Sequence, residues 1–145
     1  MTGRTTIKLK RTLALPCAAL LALSFSACAK SVSTSGLKGE AKSAAETIKN
    51  LQSDVTAGDQ KKVCQNDLAK ALVTKLSTAD GGCEKAVEHQ LTEIDSFELT
   101  VEAVQVSAGT ATARVKSIYS GKNRLRTLSL VKEGTKWKVS ALSAS

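Results

Sequence analysis

FELTVEAVQVSAGTATARVKSIYSGKNRLRTLSLVKEGTKWKVSAL, residues 97–142, alternates apolar and polar side chains between glycine-containing breaks. Apolar residues recur at every second position through Phe97, Leu99, Val101 and Ala103, and then Val104 and Val106 take the opposite parity. A half-buried strand alternates in this way, and a switch of parity marks a bulge, here near Ala103-Val104. Ser107-Ala108-Gly109 reads as a turn, followed by a second strand carrying Ala111, Ala113, Val115 and Tyr119. Residues 120–123 close it, Leu125 to Lys132 form a third strand, Glu133-Gly134-Thr135 a tight turn, and Trp137 to Leu142 a fourth strand. Four consecutive strands joined by short glycine-containing turns predict an antiparallel meander.

Upstream of Phe97 the period is about 3.6. Ala41, Ala44, Ala45, Ile48, Leu51 and Val55 fall on one stripe, which predicts a helix over 40–57. Gly58-Asp59 stops it, with Asp59 placed to cap the next helix. That second helical region runs from Gln60 to about Leu76 and buries Val63, Cys64, Leu68, Leu72 and Leu76, with Asn66-Asp67 as a place where it can split. After a loop over 77–82, a third helix from about Cys83 to Glu93 offers Ala86, Val87, Leu91 and Ile94. Helices first and sheet afterwards make an α+β domain, with the N-terminal helices packed on one face of a four-stranded antiparallel meander.

Residues 1–27 have a different character. Arg4, Lys8, Lys10 and Arg11 precede an apolar run from Leu13 to Phe25 and the small residues Ser26 and Ala27, the pattern of a secretory signal peptide. The run is shorter than the roughly 20 residues a membrane span requires. Two cuts compete. Phe25-Ser26-Ala27-Cys28 resembles a lipobox, in which the thiol of the first mature residue receives a diacylglyceryl group, although Phe25 stands where Leu, Val or Ile is usual. Ala27-Cys28-Ala29 would instead be cut before Lys30 and release a secreted protein. The small, polar tail AKSVSTSGLKG after Cys28 suits a tether, so the reading favours lipidation (diacylglyceryl and palmitate) at Cys28. The expected organisation is signal peptide 1–27, lipid-anchored flexible linker 28–39 and folded domain 40–145. Two acyl chains hold a protein on a membrane stably where one does not. A coil of this length spans roughly 18 Å.

Charge follows the same division. The chain carries +8, but four of its cations belong to residues 1–27, which leaves 17 basic against 13 acidic side chains, or +4. Residues 28–102 hold nine basic and twelve acidic side chains, whereas residues 103–145 hold eight basic residues and only Glu133. With Phe97, Tyr119 and Trp137 as the aromatics left after cleavage, the domain lacks the stacking surfaces and strong positive field of a nucleic-acid binder. Within the meander, Arg114, Lys116, Lys136 and Lys138 fall opposite the apolar parity, and Lys122, Arg124 and Arg126 cluster around the second turn and third strand. They predict a cationic sheet face suited to anionic lipid or a wall polymer, against the plainer reading of solvated residues that discourage edge pairing.

Export places Cys64 and Cys83 in an oxidising compartment, and Cys17 leaves with the signal, so a structural Cys64–Cys83 disulfide is expected. Two cysteines and one histidine make no metal cluster, and the pair is not Cys-x-x-Cys. The break at Ala57-Gly58-Asp59 with Cys64 soon after, Cys83 following a glycine loop, and a meander ending Glu133-Gly134-Thr135-Lys136-Trp137-Lys138-Val139 resemble the NTF2-like (cystatin-like) domains of small secreted bacterial lipoproteins. The resemblance covers residues 40–142 and implies a cone, a curved sheet wrapped over helices with room for a pocket. It implies no single activity, because that fold serves enzymes, adaptors and binding modules.

Catalytic patterns are sparse. His89 lies between Glu88 and Gln90 on a polar stretch, with Glu93 one turn away, and reads as a solvated surface histidine. Some NTF2-like enzymes place Asp, His or Tyr in the cone, where Asp95 and Tyr119 would stand here. The sequence shows no phosphate loop, no Gly-x-Ser-x-Gly and no paired carboxylates in a cleft. The expectation is a lipoprotein on the extracytoplasmic face of the cell membrane, without catalysis, cofactor or metal, binding an anionic surface or an unidentified protein. The rivals are a secreted binding protein and a small enzyme using the cone.

Overall fold

The alternation in residues 97–142 becomes four antiparallel strands in sequential order, β1 (Leu99–Ser107), β2 (Thr110–Tyr119), β3 (Lys122–Glu133) and β4 (Lys136–Ala144). The structure is a computed structural model that describes residues 34–79, 81–92, 97–119 and 121–144. The signal segment, Cys28, Glu93, Ile94, Asp95 and the side chain of Tyr119 lie outside that description. Between Val101 and Ala103 the register of β1 slips against β2, so Glu102 is the extra residue behind the parity switch. A second slip, at Ser129–Leu130, makes Ser140 the extra residue of β4, and its hydroxyl donates to the Ser129 carbonyl at 3.1 Å.

Before the sheet come α1 (Gly39–Thr56), a single turn α2 (Gln60–Lys62), a π-helical turn (Val63–Asp67), α3 (Lys70–Leu76) and α4 (Gly82–Thr92). Among the described residues no helix is long and apolar enough to cross a membrane. Helix α1 buries Ala44, Ala45, Ile48 and Leu51 against the sheet, as its stripe predicts. It stops at Gly58, whose φ of +69° continues the chain into Asp59, and the Asp59 carboxylate accepts from the Lys62 amide at 3.0 Å. A Cβ at Gly58 would meet nothing within 4 Å, so its cost is conformational alone. Gly58→Ala is therefore expected to destabilise the domain by about 1 kcal/mol, read as a shift of the urea midpoint.

The second helical region departs from expectation. It widens into the π-turn, closed by the Leu68 amide on the Val63 carbonyl at 3.1 Å, and then breaks into extended backbone at Leu68-Ala69 rather than at Asn66-Asp67. Tertiary pairing explains the break. Leu68 bridges Val139 in parallel, and the Ala69 amide donates to the Val139 carbonyl at 2.8 Å. These two residues cover part of the edge of β4, where an unpaired strand would invite association.

The inner face of the sheet presents Leu99, Ala111, Ala113, Val115, Leu128, Leu130, Trp137 and Val139, all buried. Ile48, Val63, Val115 and Leu130 are the largest fully buried side chains, each removing an aliphatic group from water worth roughly 2 kcal/mol. One polar contact sets the start of β1, where the buried Gln52 carbonyl oxygen accepts from the Leu99 amide at 3.1 Å.

Candidate functional site

The predicted cationic residues do not share one face. Arg114 and Lys116 stand opposite Thr127 and Leu125, while Val115 and Ser117 pair with Arg126 and Arg124. Because facing residues of a ladder project to the same side, Arg124 and Arg126 share the parity of Leu128 and Leu130 and belong to the core side of the sheet. The expected cationic face is therefore corrected in part: Arg114, Lys116, Lys136 and Lys138 keep the outer parity, whereas Lys122, Arg124 and Arg126 do not. Residues 116–126 instead form a hairpin arm with Lys116 on one side and Lys122, Arg124 and Arg126 on the other, and Leu125 is 50% exposed on it. Those four cations have no acidic partner among the described residues. Arg114 is different, since its Nε lies 3.3 Å from Glu102.

At the other end of the outer face the lysines are engaged or isolated. The Lys138 ammonium donates to the carbonyls of Gln65, at 3.3 Å, and of Asn66. Lys136, with Lys70 and Lys138, lines a cleft of about 1000 Å³ floored by Leu68 and Val73. Glu133 seats one wall by accepting the Lys70 amide at 2.9 Å.

On the opposite side of the π-turn the structure brings together two carboxyls that sequence reading did not pair. Asp54 on α1 and Asp67 at the end of the π-turn line a second cleft, about 460 Å³, with Asn50, Ser53, Asn66 and Trp137. Asp67 is only 2% exposed, and its Oδ2 has no hydrogen-bond partner. Burial pushes the Asp67 carboxyl up to about 7, with the charge and contact of Asp54 adding to the rise and the Lys138 ammonium opposing it. Asp54 lies one position before Val55 of the apolar stripe, and Asp67 sits where a helix was expected to split. Those are the available signals, and neither says that the two meet.

Glu40, in the first turn of α1, accepts from Lys132 Nζ and from Trp137 Nε1, both at 2.7 Å. The Lys132 hydrogen bond, and then that of Trp137, hold the Glu40 carboxyl below its ordinary range. Lys132 also lies 5.9 Å from the centroid of the Trp137 ring. This network locks α1 onto β3 and β4 and leaves the indole satisfied. His89 is exposed on α4. Cys64 and Cys83 are bonded, with 6.3 Å between their Cα atoms, and tie the π-turn to the start of α4.

Fold and surface together define a small α+β domain whose apolar interior is closed by a disulfide and whose polar features lie at the sheet edge and on an extended hairpin. No protein-family model matches the sequence, and no curated protein matches it. Several solved structures are similar to it, two of which follow. The variant chain Rd1NTF2_05 is 16% identical with a TM-score of 0.46, over 69% of this chain and 94% of that one. An NTF2-like transpeptidase from Campylobacter jejuni is 19% identical with a TM-score of 0.48, over 66% of this chain and 95% of that one.

Proposed function

We propose that this protein is a lipoprotein of the cell envelope, acylated at Cys28, whose NTF2-like domain binds without catalysis and touches an anionic surface through the β2–β3 arm. The observation that carries the reading is the set of four cations on that arm, Lys116, Lys122, Arg124 and Arg126, left without acidic partners among the described residues. Exposed Leu125, on the Lys116 side of the arm, gives a contact made by that side an apolar component. Each cation near an anionic surface adds up to about 1 kcal/mol, and the attraction fades with salt. The filling of the space under the sheet by Ile48, Val63, Val115 and Leu130 supports a binding module over an enzyme that works from the cone.

Two measurements test it. The mature chain without lipid should co-sediment with phosphatidylglycerol vesicles at low salt and release as salt rises. Replacing Arg124 and Arg126 by glutamine should weaken partitioning roughly tenfold. Absence of binding to these vesicles and to anionic wall polymer alike would end the surface-contact reading. Mass spectrometry of the mature N-terminus checks the anchor: a diacylglyceryl cysteine is expected, and a free Lys30 terminus would mean a secreted protein instead.

A further inference from the structure

The geometry points to an extended acidic peptide segment of a partner protein as the occupant of the cleft between α3 and the β3–β4 turn. Its lining carries the ammonium groups of Lys70 on α3 and of Lys136 and Lys138 on β4, against the single carboxylate of Glu133. That carboxylate is engaged, since Glu133 Oε1 accepts the Lys70 amide at 2.9 Å. Lys138 is engaged too, because its ammonium donates to the carbonyls of Gln65 and Asn66. Lys70 and Lys136 are both exposed, and neither has an acidic partner among the described residues. The cleft therefore keeps two uncommitted positive charges, which select a ligand that brings carboxylates.

The walls decide what kind of molecule carries those carboxylates. Leu68 and Val73 give the cleft an apolar floor, and Gln65 and Thr74 add neutral hydrogen-bonding groups. A volume of about 1000 Å³ stands at the upper end of small-molecule sites and suits several residues of peptide. Among the described residues no aromatic ring lines it on which a base could stack, and no guanidinium offers paired contacts to a phosphate. Ammonium groups are point charges that a carboxylate matches singly. In an extended segment the side chains on one face repeat every ~7 Å, so carboxylates can follow the lysines while the residues between them meet the floor. The membrane contact proposed above plays no part in this. The cationic arm lies at the other end of β3, a strand of 12 residues, and that length corresponds to roughly 36 Å. A domain resting on the arm leaves the cleft open to a partner.

The probe is a fluorescein-labelled hexapeptide of alternating glutamate and leucine, titrated with the mature chain without lipid and read by fluorescence anisotropy. Binding should saturate, weaken as salt rises, and vanish for the peptide with glutamine in place of glutamate. Lys70→Gln together with Lys136→Gln should weaken it roughly tenfold. Thr74→Glu, which adds a carboxylate to the lining, should weaken it at least as much. The side chains of Lys70, Thr74 and Lys136 are exposed, so unchanged melting temperatures are expected, and if one variant fails to fold the other gives the same readout. Arg124→Gln with Arg126→Gln should leave peptide binding as it is. Vesicle sedimentation reads the arm separately, so failure of the membrane contact and failure of the cleft are seen apart. Absence of saturable binding, equal binding of the glutamine peptide, binding that survives in both cleft variants, or the same loss in the arm variant would overturn the assignment.

Discussion

Replacing Cys64 and Cys83 by alanine is expected to lower the stability of the domain by about 3 kcal/mol and its melting temperature by more than roughly 10 °C. The bond joins residues 19 apart in sequence, and closing a loop of that length removes denatured-chain entropy of about this size. Native contacts add to the effect, because both cysteines are 7% exposed and belong to the core with Val63, Leu68 and Val87. The bond also joins the only π-helical turn among the described residues to the N-terminus of α4, so its loss releases the junction that holds Leu68-Ala69 on the edge of β4. Thermal melts of the wild-type chain with and without reductant check the same quantity without mutation. Equal melting temperatures in the two conditions would show that the bond contributes nothing.

Asp67→Asn should stabilise the protein most at pH 8, by roughly a third as much at pH 5, and little below pH 4. An unfolded aspartate loses its proton near 3.8, whereas the folded Asp67 carboxyl keeps it up to about 7. Between those values the native state binds more protons than the unfolded one, so stability is greatest below about 4 and is lost as pH rises through 7. The shift sets a ceiling of about 4 kcal/mol, and water in the adjoining cleft reduces it to roughly 2. Burial sets the sign first, the charge and contact of Asp54 on α1 add to it, and Lys138 on β4 opposes it more weakly, while Glu46 and Lys136 also line the cleft. Asparagine replaces the protonated acid with an amide that can donate to Asp54. Urea titrations from pH 5 to 8 should show wild-type stability falling and the variant level. Parallel pH profiles would exclude Asp67 as the titrating group.

The meander was legible because each strand carries its own period and each turn its own glycine. Val101 through Val104 even announced the bulge, since a change of parity can be seen without a partner strand. The bulge at Ser140 could not be seen that way, because Val139, Ser140 and Ala141 keep a plausible alternation and the slip exists only relative to Ser129. The cationic residues illustrate a related limit. Parity within β2 placed Arg114 and Lys116 outward correctly, but relating Arg124 and Arg126 to them required the register of β2 against β3. The break in the second helix was misplaced because the hydrogen bonds that favour it come from Val139, seventy residues away in sequence.

The amino-acid order by itself determined the α+β class, the four-strand meander and the core stripe of α1, all of which follow from local periodicity and turn chemistry. It also supplied the reading of residues 1–28 as an export and lipidation signal, which stays a matter of sequence and of the proposal built on it. Which polar groups meet depends on the folded chain: Asp54 meets Asp67, Glu40 meets Lys132 and Trp137, and four cations on one arm have no acidic partner among the described residues. Burial and mutual distance set the chemistry of such groups, and neither is a property of a residue's immediate neighbours in the chain.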